Sequence, residues 1–493
     1  MTSSNNPASG ATIQTNMHKA DVLSQHRHLC LFISCLLLFF SSPQSSYSQS
    51  QDTPTPIKVE AVASKTACLL NFIIAIAGSS EYGPMIKAYY EKHHKVSDKD
   101  KELLNNYYNV SFNHQRKQSL RPDGPRLDPN QTLEVLSVQS ANEKEFLENA
   151  SHRLSPADYA VVKQCFQHFG PIYEKLIWNK CKEKLTEQVN STNAFIKEKQ
   201  IDTMLSTINI VMGNTHPQDL PLKIALIPIP YKAEKNTKDI HYLAHTIDSV
   251  QLVEVLDNEN MNGRYVIIFH ELCHSILTNQ ANLQKQFFAL GYKGALAYEQ
   301  LHEALPVALS SGWYSKKTTG KTANFWYEDK YIETYAKDLY PLLKAYLDKD
   351  HPLDSKFVEN AVAILWKLYP EAQFNTSLNL RHFILLTNDR VATKDLDIQI
   401  RNTVGMVNEI NAYTPIQIWK DWRWKRPYTT TVYLLKPDDL ALLSMSLEKL
   451  PEPIPPGEAR TFFTGKCWVI ACVGKDSTEQ SKALLKLLAG GKL

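Results

Sequence analysis

Apolar and polar positions follow different rhythms in different parts of this chain. Between about residues 57 and 215, apolar side chains recur every three or four positions, as in CLLNFIIAIA and YAVVKQCFQHFGPIYEKLIW, with charges on the opposite face. That period belongs to amphipathic helices, so residues 51–215 are expected to form a helical N-terminal region. The run LPLKIALIPIPY (220–231) is instead short, apolar and rich in β-formers. Its Pro228 and Pro230 have no N–H to donate, which points to a strand at the edge of a sheet. Helical spacing returns in YVIIFHELCHSILTN (265–279) and, after a turn marked by Gly291 and Gly294, in ALAYEQLHEAL (295–305). It continues through WYEDKYIETYAKDLYPLLKAYL and VENAVAILWKLYPEA. From about residue 428 the texture changes to strands, TTTVYLL and CWVIACVG, followed by a helix in STEQSKALLKLLAG. The expected fold is α+β and predominantly helical: the N-terminal region, a middle domain over 216–425, and a small C-terminal α/β domain over 426–493, joined through the Pro-rich LPEPIPP.

Composition narrows the picture. With 493 residues, 43% hydrophobic and 21% charged, the chain is long and apolar enough for two or three cores, and collagen-like or wholly disordered readings are excluded. Lys+Arg 54 against Asp+Glu 51 leaves +3, which does not suggest a surface that neutralises a nucleic-acid backbone. Leu29 to Phe40 carries no charge and runs into the Ser-rich SSPQSSYSQSQ. A membrane span needs roughly 20 apolar residues, whereas a signal-peptide core needs only about 7–15 followed by small residues. Residues 1–50 are therefore expected to be a signal peptide, with Lys19 and Arg27 before its core and Ser46 to Ser50 offering small-x-small cleavage sites. The destination is periplasmic or extracellular, and no later stretch suggests a stable membrane span. Of the eight cysteines six lie outside that segment. Cys165 and Cys181 could bridge; buried free thiols are the alternative.

The chemistry concentrates in His270-Glu271-Leu272-Cys273-His274, an H-E-x-x-H pattern. Two histidines four apart on a helix reach one metal ion from one face, and the glutamate beside the first can act on bound water. Val266, Ile267, Ile268 and Phe269 precede the pattern and Ile276 follows it. Such a helix is buried except along its polar line, where a metal offsets the cost of burying two imidazoles and a carboxylate. Two other histidine pairs are weaker. His241 and His245 share the spacing but have Tyr242 in the place of the glutamate, and read as a packing or solvent-facing pair; His93-His94 lies in a charged run and reads as a solvated face. Cys273 reads as a small packing residue, since a thiolate would fill the open position that hydrolysis needs. A catalytic zinc takes a third protein ligand. Leu277 and Gln280 occupy the places where a further glycine and histidine would extend the motif. Glu299 and Glu303 lie on one face of the next helix, and Glu303, close to the small residues Ala304 and Ala308, is the preferred ligand. Glu299 as ligand with Glu303 as its support, or His302, are alternatives.

The motif with its downstream glutamate helix resembles the gluzincin branch of zinc metallopeptidases, thermolysin-like in general form, over about residues 220–310. The segment NFIIAIAGSSEYGPMIKAYYEKHHKV and the strand before the motif are also similar to a group of exported bacterial zincin-like proteins. The resemblance implies a zincin-like core holding Zn2+ on His270, His274 and Glu303, with Glu271 as general base and a peptide or protein as substrate. It implies that LKIALIPIPY is the edge strand to which an extended substrate adds, and that a tyrosine or histidine among Tyr298, Tyr314, His302 and His382 stabilises the oxyanion. Two other functions fit the same residues: a catalytically inactive zincin-like binding module, and a metallohydrolase of another amide or ester bond.

Overall fold

Val59–Val62 opens the described chain as strand β1, and its partner lies about 160 residues downstream: β1 pairs in parallel with β2 (Leu222–Ile229), Val59 opposite Leu222. The computed structural model describes residues 57–493 apart from 79–83, 112–117, 121–124, 215–220, 230–243, 257–260, 262–263, 278–279, 389–392, 406, 408, 414–415 and 417–426. The expected signal peptide, Pro230 and His241 lie outside those residues.

β2 also pairs in parallel with β4 (Val250–Leu256), and β4 pairs antiparallel with β3 (Ala244–Ile247), giving the order β1-β2-β4-β3. The proline-bearing strand is therefore interior, and the expectation of an edge is corrected. The reason lies in the alternation of donors. Leu222 N–H donates to Lys58 on the β1 side, and Lys223 N–H donates to Ser249 on the β4 side. The same alternation turns the nitrogen of Pro228 toward the β1 side, but β1 stops at Val62, opposite Ala225. No ladder bond is lost, so the proline is tolerated. The antiparallel edge is β3.

Helices cover both faces of this sheet. On one face lie Lys65–Ala77 and Pro129–Gln139; on the other lie Asn179–Glu198 and Tyr265–Leu277. Lys65–Ala77 is buried almost all round, which its unbroken apolar sequence requires; Ser64 caps its start and Gly78, in the left-handed region at φ 73, ends it. Asp128 and Gln131 form a capping box at the start of Pro129–Gln139. The N-terminal region is thus helical in the main, but it also supplies a strand to the sheet beneath the motif helix.

A second sheet has the order β6-β5-β7-β9-β8, with β5 (His382–Thr387), β6 (Glu409–Tyr413), β7 (Thr430–Leu435) and β9 (Trp468–Val473) parallel and β8 (Ala459–Phe463) antiparallel at an edge. Phe383, Leu385, Val432, Leu434, Ile470 and Cys472 face the helices Thr393–Val404 and Ser477–Ala489, while Ile384, Leu386, Tyr433, Leu435, Val469 and Ala471 face a separate core with Leu443 and Ile454. Both faces being covered, the strands read as continuous apolar runs. This sheet begins at His382, well before the change of texture at about 428. The fold is α+β and predominantly helical. No helix among the described residues is long and apolar enough to cross a membrane. No disulfide joins any of the six described cysteines; Cys165 lies against the Leu103 carbonyl and Cys181 against that of Trp178.

Candidate metal centre

The helix Tyr265–Leu277 buries Tyr265, Ile268, Phe269, Leu272, Cys273, Ile276 and Leu277, leaving His270, Glu271 and His274 along its partly open line. Helical spacing stacks the two rings one turn apart, and their Nε2 atoms stand 3.1 Å from each other. The helix Gly291–Val307 crosses beside it. Glu303 on that helix brings Oε2 to 3.5 Å from His270 Nε2 and 3.6 Å from His274 Nε2. Tetrahedral zinc with bonds of about 2.0–2.1 Å separates its ligand atoms by about 3.3–3.4 Å. The triangle of two imidazole nitrogens and one carboxylate oxygen matches that edge length on all three sides, so the residues fit the ion. Their side chains are 12%, 24% and 16% exposed, so each is partly accessible to solvent.

Glu271 lies beside the triangle, with a carboxylate oxygen within 4.8 Å of the ring nitrogens. The hydroxyl of Thr246, on edge strand β3, donates to the backbone carbonyl of Glu271 at 2.8 Å and reaches its Oε2 at 3.1 Å. The carboxylate is therefore held by an adjacent strand as well as by its own helix.

Electrostatics bind the cluster together. Burial alone would raise the Glu303 carboxyl, but the charge of His274 and hydrogen bonds from His270 and His274 hold it well below the ordinary carboxylate range. Burial would lower His274, and the Glu303 carboxylate outweighs it, pushing the imidazole up to about 9. Burial keeps Cys273 a thiol, far above its usual range.

The other expected residues separate. Glu299, one turn earlier on the ligand helix, faces His382 at 3.6 Å. His302 stacks edge-on to Tyr298 and lies 6.0 Å, ring to ring, from His382. Tyr314 stacks on Phe269 at 4.5 Å and Tyr298 packs against Phe287 and Phe288, both inside the core. The tyrosine at the triangle is Tyr327, which nothing in the sequence singled out. Its hydroxyl donates to Glu303 Oε2 at 3.0 Å and its ring lies over His270 at 5.9 Å. It comes from the loop before helix Lys330–Leu347, which Ser311 anchors by accepting from Ala323 N–H and donating to the Trp326 carbonyl. Gly312 allows that approach: a Cβ there would sit 2.9 Å from the Trp326 ring.

Two histidines set aside on sequence grounds have definite partners. His245 Nε2 faces the buried Glu134 at 3.3 Å. His94 is not on a bare solvated face: with His168 it brackets the buried Asp100, at 3.3 and 2.5 Å. Comparison of the chain with protein-family models, with curated proteins and with solved structures returned no match.

Proposed function

We propose that this chain is an exported zinc-dependent peptidase of gluzincin type. The observation that carries the reading is the His270, His274, Glu303 triangle, with edges of 3.1 to 3.6 Å and Glu271 at its side. Zinc bound there supplies Lewis acidity and lowers the pKa of a bound water toward about 7. Glu271 accepts the proton of the attacking water as its oxygen bonds to the scissile carbonyl carbon, and returns a proton to the amine as the C–N bond breaks. Thr246 keeps that carboxylate in place through the exchange. Tyr327 fixes the Glu303 carboxylate by hydrogen bond, as supports of metal-binding side chains generally do. β3 is an edge strand of its sheet and packs against the motif helix, which supports strand addition by an extended peptide.

The test is metal analysis and fluorogenic peptide hydrolysis by the purified chain beside Glu271→Gln. One zinc per chain, chelator-sensitive turnover, and a variant that keeps its zinc while losing about 10²–10⁴-fold in rate are expected. A chain that takes up no zinc, or a variant as fast as wild type, would refute the proposal.

A further inference from the structure

The helix that carries Glu303 is gripped from the far end of the chain. Arg381 and His382, at the entrance to β5, meet Gln300 and Glu299 on the ligand helix. Arg381 is wholly buried, its Nε donating to Gln300 Oε1 at 2.8 Å and its Nη2 lying 3.1 Å from Asp329. Gln300 stands three residues before Glu303; Asp329 stands two residues after Tyr327. Asp329 also caps helix Lys330–Leu347 by accepting from Tyr331 and Ile332 N–H. One planar guanidinium therefore ties the ligand helix to the loop that delivers Tyr327. Neither Nη1 nor Nη2 makes a hydrogen bond among the described residues, so Nη2 meets Asp329 as an ion pair alone.

We propose, resting on the peptidase reading above, that Arg381 is a positioning residue for the metal centre, holding Tyr327 against Glu303 from the five-stranded sheet. A buried ion pair is a poor source of stability, and an apolar side chain of similar volume commonly serves a core as well or better. What the guanidinium supplies instead is a fork with two fixed directions, matching two partners on two elements. Gln300 has a second tie that orders this end: its Nε2 donates to the Leu378 carbonyl. The five-stranded sheet thus acts as a support of the metal centre, one shell removed from the ligands.

The experiment is a double-variant cycle of Arg381→Met and Tyr327→Phe in the full chain, read by zinc affinity in chelator competition and by kcat and KM on a peptide. Each single variant is expected to weaken zinc or lower kcat by about 10–100-fold with KM nearly unchanged. The double variant is expected to fall no further than the worse single one, because both break the same support. Effects that multiply, or an Arg381→Met chain with wild-type zinc affinity and kcat, overturn the inference. Should Arg381→Met fail to fold, Asp329→Asn takes its place in the cycle: asparagine still caps the helix but removes the charge that Arg381 meets. Wild type without zinc or turnover sinks the peptidase reading and this inference with it; active wild type beside an unaffected Arg381→Met sinks the inference alone.

Discussion

Zinc and a proton compete for His274, and the competition has a size. In the metal-free protein burial disfavours the charged ring, yet the Glu303 carboxylate overrides it and lifts the imidazole to about 9. At pH 7 the great majority of the molecules therefore carry a proton that zinc must displace, a penalty on the order of two decades in affinity, or roughly 3 kcal/mol. At pH 9 the penalty shrinks to about twofold, so loss of this proton alone should raise apparent zinc affinity about 50-fold between the two. At pH 7 about one proton per zinc should be released from His274, beside about half a proton from a bound water whose pKa lies near 7. Changing Glu303→Gln removes the largest of the influences that raise His274, leaving Glu271 to act alone against burial; binding weakens overall, and the climb between pH 7 and 9 becomes shallower. The assay is competition against a chelator of known, pH-corrected affinity, with calorimetry in buffers of different ionisation enthalpy to count protons. A flat wild-type profile over that window, or a Glu303→Gln profile as steep as wild type, would show that the carboxylate and imidazole are not coupled as the geometry implies.

Further consequences are open to measurement. Thr246→Val removes the hydroxyl at Glu271 and should cut kcat about 5–10-fold, in keeping with the loss of one hydrogen bond to a charged group, while zinc affinity stays unchanged; an unaltered kcat would mean the helix alone orients the base. Burial pushes the Glu254 carboxyl up to about 7, against the opposing charges of His245 and Arg264. The folded chain then binds this proton more tightly than the unfolded one, so stability should decline from about pH 4.5 to 7, by up to about 3 kcal/mol from this group. In Glu254→Gln the decline over that range should be smaller, and denaturation curves at pH 5 and pH 8 that shift as in wild type would contradict the assignment. A Cβ at Gly294 would stand 1.9 Å from the Phe287 carbonyl oxygen. Gly294→Ala should therefore cost about 1–3 kcal/mol in stability and disturb the ligand helix, with a lowered melting temperature as the readout.

Legibility in the sequence followed the range of the interaction. His270, Glu271 and His274 sit within one helical turn and a half, where spacing alone dictates geometry. Four-residue spacing puts Glu303 and Glu299 on one face and the small residues Ala304 and Ala308 favour Glu303, yet only the crossing of two helices separates them: Glu303 meets both rings, and Glu299 meets His382. Thr246, Tyr327 and Arg381 come from an edge strand, a loop and a remote strand, and single residues of common type carry no spacing signal. The proline rule misjudged β2 because it counts lost donors without knowing which way each donor points. The run FILL in β5 carries no decisive signal, because a short apolar run suits helix and strand equally. VEAV, four residues long, was too brief to register as β1 beside the helical pattern around it.

The pairing of β1 with β2 has a kinetic corollary. Every helix between Lys65 and Val211 can begin to coil from local contacts as soon as it is synthesised, but Val59 must wait for Leu222. Closing a loop of that length before any ladder bond forms is slow, so β1, the first of the described strands to be made, is among the last to find its place. Until then β2 presents a bare apolar flank, and a chain clipped just ahead of Lys65 would keep that flank for good, favouring self-association over a finished native state.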